Sequence, residues 1–374
     1  MQKTEGALFM TSYHRLFAPA ETAAAETYFA GGNSPSGYKP LPGGIFRETD
    51  FEKLYILKGG PGTGKSTLIA EVGQRAAAGG ARVVFYACGS DPGSFDGIVI
   101  EHGEHRIGVL DGTPPHAQEP LYPGVLGEYV NLGAFWDSGK LESRRREALS
   151  LAAEKAAHFA DGWRALGAAD LIDRTLEETC RSAMRENKME SAVSRLLAGY
   201  RPHGGSENFL LVHGVTMRGA VSLPTLEKTS KRNIAVLEEG DTSRFYLAAL
   251  RRTAVRLGLR TEAALSPLRH DLILGVRLPD ADVSFAVTDE RTENGQAVNM
   301  ERFLDPAVWR GTRQERRRLT KRREELFRAA EDSFRAAGKV HFELEELYGG
   351  CMDFDGMREM RAELAESVSE RLFR

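Results

Sequence analysis

LYILKGGPGTGKSTLI, residues 54–69, places a glycine-dense turn between two segments of different periodicity. The apolar run 54–57 is typical of a buried strand, and the residues from Lys65 onward have helical spacing. Glycines let the backbone bend so that successive N–H groups converge on an anion, and the start of a helix adds a favourable dipole. The stretch therefore predicts a strand, an anion-binding loop and a helix in succession.

The same residues match the P-loop pattern GxxxxGK[ST], which binds nucleotide phosphates. Lys65 is expected to reach the β- and γ-phosphates, and the Ser66 hydroxyl is expected to bind magnesium. The predicted nucleotide-binding residues are Gly59, Gly60, Pro61, Gly62, Thr63, Gly64, Lys65, Ser66 and Thr67. The motif thus predicts a nucleotide and Mg²⁺ as ligands.

The composition is that of a globular protein with room for two domains. The chain has 374 residues, which is more than one core usually supports. Apolar residues make up 41% and charged residues 28%, so the chain is not of the disordered class, and its net charge of −3 shows no overall bias toward nucleic acid. Three scattered cysteines lack zinc-ligand spacing, and neither a signal-peptide core nor an apolar run of membrane-spanning length is seen. We expect a cytoplasmic protein.

Two carboxylates follow predicted strands beyond the loop. Segments with helix or strand periodicity occur in the order 66–78, 83–86, 97–100 and 106–110. Asp111 ends the last of these strands and has the form of a carboxylate that holds the magnesium shell. Asp91 could position or deprotonate the attacking water, although both residues also suit a plain turn. With Lys65, Asp91 and Asp111 make up the predicted catalytic set, and Ser66 and Asp111 the metal ligands.

Two glycine- and proline-rich segments are predicted to be irregular. Residues 1–50 read as a lead-in with one short element near residues 14–17, and residues 111–137 read as a long loop beside the phosphate site. His116 in that loop is a candidate contact for a second substrate. An ordinary surface histidine is the simpler interpretation.

The chain repeats itself with an offset of 179 residues, so that 234–257 aligns with 55–78 without a gap. Each copy leads into a segment of helical composition, at about 138–200 and about 306–374. Strands that alternate with helices favour an α/β fold with the ligand at the carboxyl ends of the strands. We therefore predict two tandem doubly wound domains with parallel sheets, each followed by a helical appendage. The predicted domains are residues 1–200 and 201–374.

The second copy lacks the residues that bind phosphate. The positions aligned with 59, 60, 62, 64, 65 and 66 hold Glu238, Glu239, Asp241, Ser243, Arg244 and Phe245. Acidic side chains repel a polyphosphate, and a phenylalanine cannot bind magnesium. The sequence predicts one working nucleotide site and one degenerate domain with a structural or regulatory role.

Two groups of basic residues leave alternatives open. Arg244, Arg251 or Arg252 of the second copy could serve the first copy as an arginine finger, or could lie on a helix surface. The basic cluster at 316–323 could contact nucleic-acid phosphates. Since no aromatic residues are interleaved with it, a solvated helix face is the simpler interpretation, and nucleic acid is left as an open but less expected partner.

The segments KGGPGTGKST, CGSDPGSFDG, VLDGTPPH, EPLYPG and NLGAFWD resemble a family of bacterial tandem P-loop ATP-binding proteins that are described as predicted ATPases. The two-copy layout resembles that family over most of the chain. The resemblance implies ATP binding. The resemblance implies no particular substrate. In that family the second copy often keeps a P-loop, and in this chain it does not.

Three functions fit these residues. The leading interpretation is an ATPase in which Mg²⁺ and ATP bind at residues 59–67 and hydrolysis drives movement between the two domains. A phosphotransferase would use the 111–137 loop to hold a small acceptor and Asp91 to deprotonate its hydroxyl. A nucleotide-gated scaffold with little turnover would suit the degenerate second copy and the absence of a glutamate directly after Asp111.

Overall fold

The computed structural model describes residues 13–19, 26–41, 44–114, 117–202, 204–288 and 296–374. The strands in these ranges are β1 Ala18–Pro19, β2 Thr27–Phe29, β3 Gly31–Ser34, β4 Gly37–Pro40, β5 Lys53–Lys58, β6 Arg82–Ala87, β7 Phe95–His102, β8 His105–Asp111, β9 Gly127–Asn131, β10 Glu207–Leu210, β11 His213–Thr216, β12 Gly219–Ser222, β13 Arg232–Leu237, β14 Thr261–Leu265, β15 Ile273–Leu278, β16 Val283–Thr288 and β17 Ala297–Asn299.

The α-helices in the same ranges are α1 Lys65–Ala78, α2 Ser138–Ser143, α3 Arg145–Arg181, α4 Glu186–Leu197, α5 Thr225–Lys228, α6 Ser243–Arg256, α7 Pro306–Gly311, α8 Arg313–Gly349 and α9 Arg358–Leu372. Short 3₁₀ helices cover Tyr13–Leu16, Glu48–Asp50, Leu132–Phe135, Pro279–Ala281 and Met300–Phe303. The two helical segments predicted after the repeats are present.

The chain divides into two compact units, and each unit is built from three separate segments of the chain. The N-sheet unit comprises Ala20–Trp163, Leu211–Thr225 and Glu331–Arg374, and the C-sheet unit comprises Met1–Pro19, Arg164–Leu210 and Leu226–Ala330. The sequence instead predicts a single division of the chain, after residue 200. The difference arises because two of the divisions, after Trp163 and after Ala330, fall inside the 37-residue helices α3 and α8.

Each unit contains a six-stranded mixed sheet. The strand order is β2-β6-β7-β8-β5-β9 in the N-sheet unit and β10-β14-β15-β16-β13-β17 in the C-sheet unit. Matching neighbours pair in the same directions in the two sheets. The α/β class is confirmed, and the shared order agrees with the internal repeat of the sequence.

The prediction of purely parallel sheets is wrong for one strand in each sheet. Strand β7 runs antiparallel to both β6 and β8, and β15 does the same in the C-sheet unit. In the N-sheet unit, β7 and β8 are joined by a tight turn in which Gly103 has a φ of 58°. A parallel pair needs a crossover of a dozen residues or more, so this short connection dictates a hairpin.

Two segments predicted to be irregular contain strands. Within the first 50 residues, β2 pairs parallel with β6, and β3 and β4 form a hairpin whose turn includes Gly37 at a φ of 102°. Within 111–137, β9 pairs parallel with β5 at the edge of the sheet. These strands have only three to five residues, and β3, β4 and β9 are rich in glycine or polar residues, so their pairing depends on the neighbouring strand more than on their own composition.

The core of the N-sheet unit lies between one sheet face and helices α1 and α9. Alternate residues of β5, β7 and β8, such as Leu57, Ile98 and Val109, pack against Leu68 of α1 and Val368 of α9, and all are buried. This packing fixes the start of α1 at the carboxyl end of β5.

Among the described residues, no helix has the length and apolar character needed to cross a membrane.

Candidate functional site

The 59–64 loop connects strand β5 to helix α1, as predicted. Its backbone turns through the left-handed region at Gly62, with a φ of 67°, and at Gly64, with a φ of 81°. Residues with a Cβ adopt this region only rarely, so glycine at these two positions favours the turn. The Thr63 hydroxyl donates to the carbonyl of Gly60 at 2.8 Å and closes the loop.

Lys65 is folded back over the loop. Its side chain is nearly buried, and its Nζ donates to the carbonyls of Gly59 at 3.0 Å and Gly60 at 2.6 Å. The same Nζ lies 3.5 Å from Oδ2 of Asp111. The ammonium therefore lies between the loop and the end of β8, which is the neighbour of β5.

Backbone donors of the loop point to no protein acceptor. Within the described part of the chain, the N–H groups of Gly62, Gly64 and Lys65 donate to no other residue. N–H groups at the start of a helix carry partial positive charge and bind anions. The loop thus offers a cluster of donors next to a buried ammonium, which is a suitable environment for a phosphate.

Ser66 and Asp111 occupy positions that suit a magnesium ion. The Ser66 Oγ accepts from the N–H of Phe95 at 2.8 Å and keeps a second lone pair. Asp111 Oδ1 accepts from the N–H of Thr113 at 2.9 Å, which leaves Oδ2 facing Lys65. Among the described residues, no group of three or more His, Cys, Asp or Glu side chains could hold a metal ion alone. A magnesium ion here would need phosphate oxygens and water as further ligands, which is its usual mode.

Asp96 is a further carboxylate that the sequence analysis did not single out. Because β7 is antiparallel, its first residues lie at the same edge as the carboxyl ends of β5 and β8, and the pairing of Gly97 with Leu110 places Asp96 near the end of β8. Asp96 is 7% exposed. Burial and the Asp96 carboxylate together raise the pKa of the Cys88 thiol. Only the antiparallel direction of β7 brings Asp96 to this edge, so a parallel interpretation missed it.

Asp91 is held by an arginine of the β11–β12 hairpin. Arg218 Nε lies 2.5 Å from Asp91 Oδ1, and its Nη2 lies 3.3 Å from Oδ2. The same Oδ1 accepts from the N–H of Gly93 at 3.1 Å. Both carboxylate oxygens of Asp91 therefore already have donors within the N-sheet unit.

The end of α8 packs directly on the loop. A Cβ at Gly62 would collide with the carbonyl oxygen of Glu345, and a Cβ at Gly60 would lie 3.2 Å from the rings of Tyr348 and Trp136. The two rings are 5.8 Å apart, and the buried indole Nε1 of Trp136 has no acceptor among the described residues. The loop is therefore bordered by an aromatic pair with an unused donor.

The remaining predicted binding residues are less engaged. Pro61 is half-buried in the loop, and Thr67 is exposed on α1. His116 lies outside the described residues.

The matching loop of the C-sheet unit keeps part of the backbone geometry. Asp241, which aligns with Gly62, also has a φ of 67°, and the Thr242 hydroxyl donates to the carbonyl of Glu239 at 2.8 Å as Thr63 does to Gly60. The left-handed turn at Gly64 is not kept, because its match Ser243 opens α6 and Gly240 takes a φ of 59° instead.

A carboxylate of its own chain fills this second loop. Oε1 of Glu238 accepts from the backbone N–H groups of Glu239 at 2.7 Å, Thr242 at 2.9 Å and Ser243 at 3.2 Å. Its Oε2 accepts from the Ser243 hydroxyl. The Glu238 carboxylate occupies the donors that a phosphate would need, which gives a physical reason for the predicted degeneracy beyond charge repulsion.

Buried ion pairs surround the second loop. Arg244, which aligns with Lys65, donates to Asp173 of α3 at 2.9 and 3.1 Å. Arg323 of α8 is fully buried and bridges Asp173 at 2.8 Å and Asp241 at 2.6 Å. Burial acts to raise the pKa of Asp173, but the two guanidinium groups outweigh it and hold that pKa well below its usual range.

The arginines that the sequence analysis left open divide between buried and exposed positions. Arg316 is buried with its guanidinium against the ring of Trp309, and Arg323 is buried as described, so neither belongs to a solvated face. The other four members of the basic cluster are exposed, namely Arg317, Arg318, Lys321 and Arg322. Arg251 pairs with Glu207 at 2.6 Å, and Arg252 lies 3.7 Å from Glu190.

Two surface cavities of about 880 and 560 Å³ lie in the C-sheet unit between α4, α6 and neighbouring residues. Neither contains a predicted site residue, and both are open, so the chemistry of the 59–64 loop is the stronger guide to a binding site.

Comparisons with protein-family models, curated proteins and solved structures give no match for this chain.

Proposed function

We propose that the chain is an ATP-binding P-loop NTPase that hydrolyses ATP with Mg²⁺ at the 59–67 loop. One observation carries the proposal: the Lys65 ammonium lies between the free N–H donors of this loop and the Asp111 carboxylate at the end of the adjacent strand. A phosphate would gain donors and a cation there, and the carboxylate would hold the magnesium shell.

The residues suggest how the reaction would proceed. Lys65 and the loop N–H groups would hold the β- and γ-phosphates, and Ser66 and Asp111 would orient the Mg²⁺ complex. A bound magnesium would neutralise charge on the phosphates. Asp96, on the same edge of the sheet, would accept a proton from the attacking water, and Asp91 is retained as the second candidate for that role.

The test is Mg²⁺-dependent ATP turnover, measured on the full chain together with the amount of bound nucleotide. Lys65→Ala should abolish turnover and weaken ATP binding by about tenfold or more, since hydrogen bonds to charged groups are worth about 1.5–3 kcal/mol. Lys339→Ala is the matched control, because Lys339 is an exposed lysine of α8 in the same unit. A wild type that binds no ATP refutes the proposal.

A nucleotide-gated scaffold is the second candidate. The observation in its favour is the Glu238 carboxylate, which fills the second loop and leaves the chain with one loop free to bind. Tight ATP binding without phosphate release from the wild type would select this function over hydrolysis.

A further inference from the structure

Helices α3 and α8 are copies of one another that meet different loops. Both have 37 residues, and each follows a short helix that is capped by an aspartate, Asp137 before α2 and Asp305 before α7. The two caps differ by 168 residues, which places Lys155 of α3 at the position of Arg323 in α8. The aromatic residues one turn later, Phe159 and Phe327, match as well.

In the C-sheet unit, the residue at this position, Arg323, contacts a carboxylate of the loop. Arg323 lies 2.6 Å from the Asp241 carboxylate, which projects from the loop position that aligns with Gly62. The neighbouring Glu238 carboxylate fills the N–H cradle of the same loop. The Glu238 carboxylate thus occupies the N–H donors of the loop, and the second carboxylate, that of Asp241, is bound by the cation from the long helix.

In the N-sheet unit the cation is present and the carboxylates are not. Gly62 and Gly59 replace Asp241 and Glu238, so this loop has no acidic side chain of its own. Lys155 is half-buried, and within the described part of the chain it makes no ion pair. Burial lowers the pKa of Lys155, and the carboxylate of Glu345, whose backbone packs on Gly62, acts against that shift.

We propose that Lys155 binds the terminal phosphate of the nucleotide at the 59–67 loop and thereby distinguishes a nucleoside triphosphate from a diphosphate. The inference rests on the proposed nucleotide site and extends it. In the C-sheet unit, Arg323 takes the place of Lys155 and contacts an anionic group of the matching loop. A lysine suits a ligand that binds reversibly, because its ammonium acts as a compact point charge.

The test compares the affinities of the full chain for ATP and for ADP, each with Mg²⁺. Lys155→Gln should weaken ATP binding by about tenfold while ADP binding changes by less than about twofold, since only ATP carries the phosphate that the lysine would meet. Lys155→Arg should retain most of the preference for ATP. Lys339→Gln serves as the control for an exposed lysine on the partner helix in the same unit.

The outcomes separate this inference from the proposed function. Equal losses for ATP and ADP in Lys155→Gln, or no loss for either, overturn the role of Lys155 while wild-type binding still supports the nucleotide site. A wild type that binds neither nucleotide overturns both. Thermal unfolding of each variant is measured alongside, and if Lys155→Gln unfolds early, Lys155→Met provides the same comparison because it keeps the length of the side chain.

Discussion

Lys65 and Asp111 approach to 3.5 Å across neighbouring strands of the N-sheet unit, although 46 positions separate them in the chain. Lys65 opens α1 after β5, and Asp111 ends β8, which pairs with β5 in parallel. Parallel neighbours end at the same edge, so the pairing of these two strands brings the ammonium and the carboxylate together. The strand pairing therefore explains why two residues far apart in the chain meet at one edge of the sheet.

Asp111→Asn tests the magnesium role. The amide keeps the size of the side chain but loses the charge that would hold the metal shell, so activation by Mg²⁺ should need about 10- to 100-fold more metal. A titration of turnover against Mg²⁺ concentration measures the change. Asp50→Asn, an exposed aspartate of the same unit, should behave as wild type. Equal Mg²⁺ dependence in the two variants would contradict the role of Asp111.

Asp96→Asn and Asp91→Asn test which carboxylate accepts the proton. Loss of a general base typically costs about 10²- to 10⁴-fold in rate, so Asp96→Asn should lower kcat by that order with little change in ATP affinity. Asp91→Asn should mainly remove the ion pair with Arg218. A larger fall in kcat for Asp91→Asn than for Asp96→Asn would reverse the assignment.

The same carboxylates show how far the sequence leads. The loop and the start of α1 follow from local chemistry, because Gly62 and Gly64 favour a left-handed turn and Lys65 follows at a fixed spacing. The approach of Asp111 follows once β8 is identified as a strand. Asp96 was missed because its place depends on the direction of β7, and that direction depends on a short turn at Gly103 that the alternation of α and β segments concealed.

The degenerate loop illustrates the other limit. The alignment predicts that Glu238, Glu239 and Asp241 repel phosphate, which is a statement about charge. It does not predict that Glu238 turns inward to accept three N–H groups, or that Arg244 is buried against Asp173 rather than on a helix surface. The contact of Arg244 depends on a residue 71 positions away along the chain, and no local pattern encodes it.

Glu238→Gly tests the filled loop. Without the carboxylate, the N–H groups of residues 239, 242 and 243 lose their acceptor, and an unsatisfied buried group costs about 1–3 kcal/mol. The free energy of unfolding from denaturant titration should fall by that amount. Glu239→Gln is the control: its amide oxygen can still accept from Trp309, so stability should change little. Glu190→Gly is not a suitable control because Glu190 lies inside α4.

Inorganic phosphate provides a second measurement on the same variant. If Glu238 occupies an anion-binding cradle, its removal should let phosphate enter, and the variant should gain more in Tm from added phosphate than the wild type does. Comparison with the wild type cancels the general effect of the salt and any binding at the 59–67 loop. An equal gain in both proteins would show that the second loop no longer has the shape to hold an anion.

Asp173→Asn tests the buried ion pairs and their pH dependence. Removing one partner leaves Arg244 and Arg323 buried with a missing counter-charge, which costs about 3–5 kcal/mol. Because the pKa of Asp173 is lowered by folding, this stability is fully present above the unfolded pKa near 4 and is lost as the pH falls through the folded value. Unfolding free energies of wild type and Asp173→Asn should therefore differ most at neutral pH and converge as the pH falls from about 4 toward 2. Asp280→Asn, which breaks a 3.7 Å surface pair with Arg260, should cost at most about 1 kcal/mol, and a similar cost for Asp173→Asn would contradict a buried network.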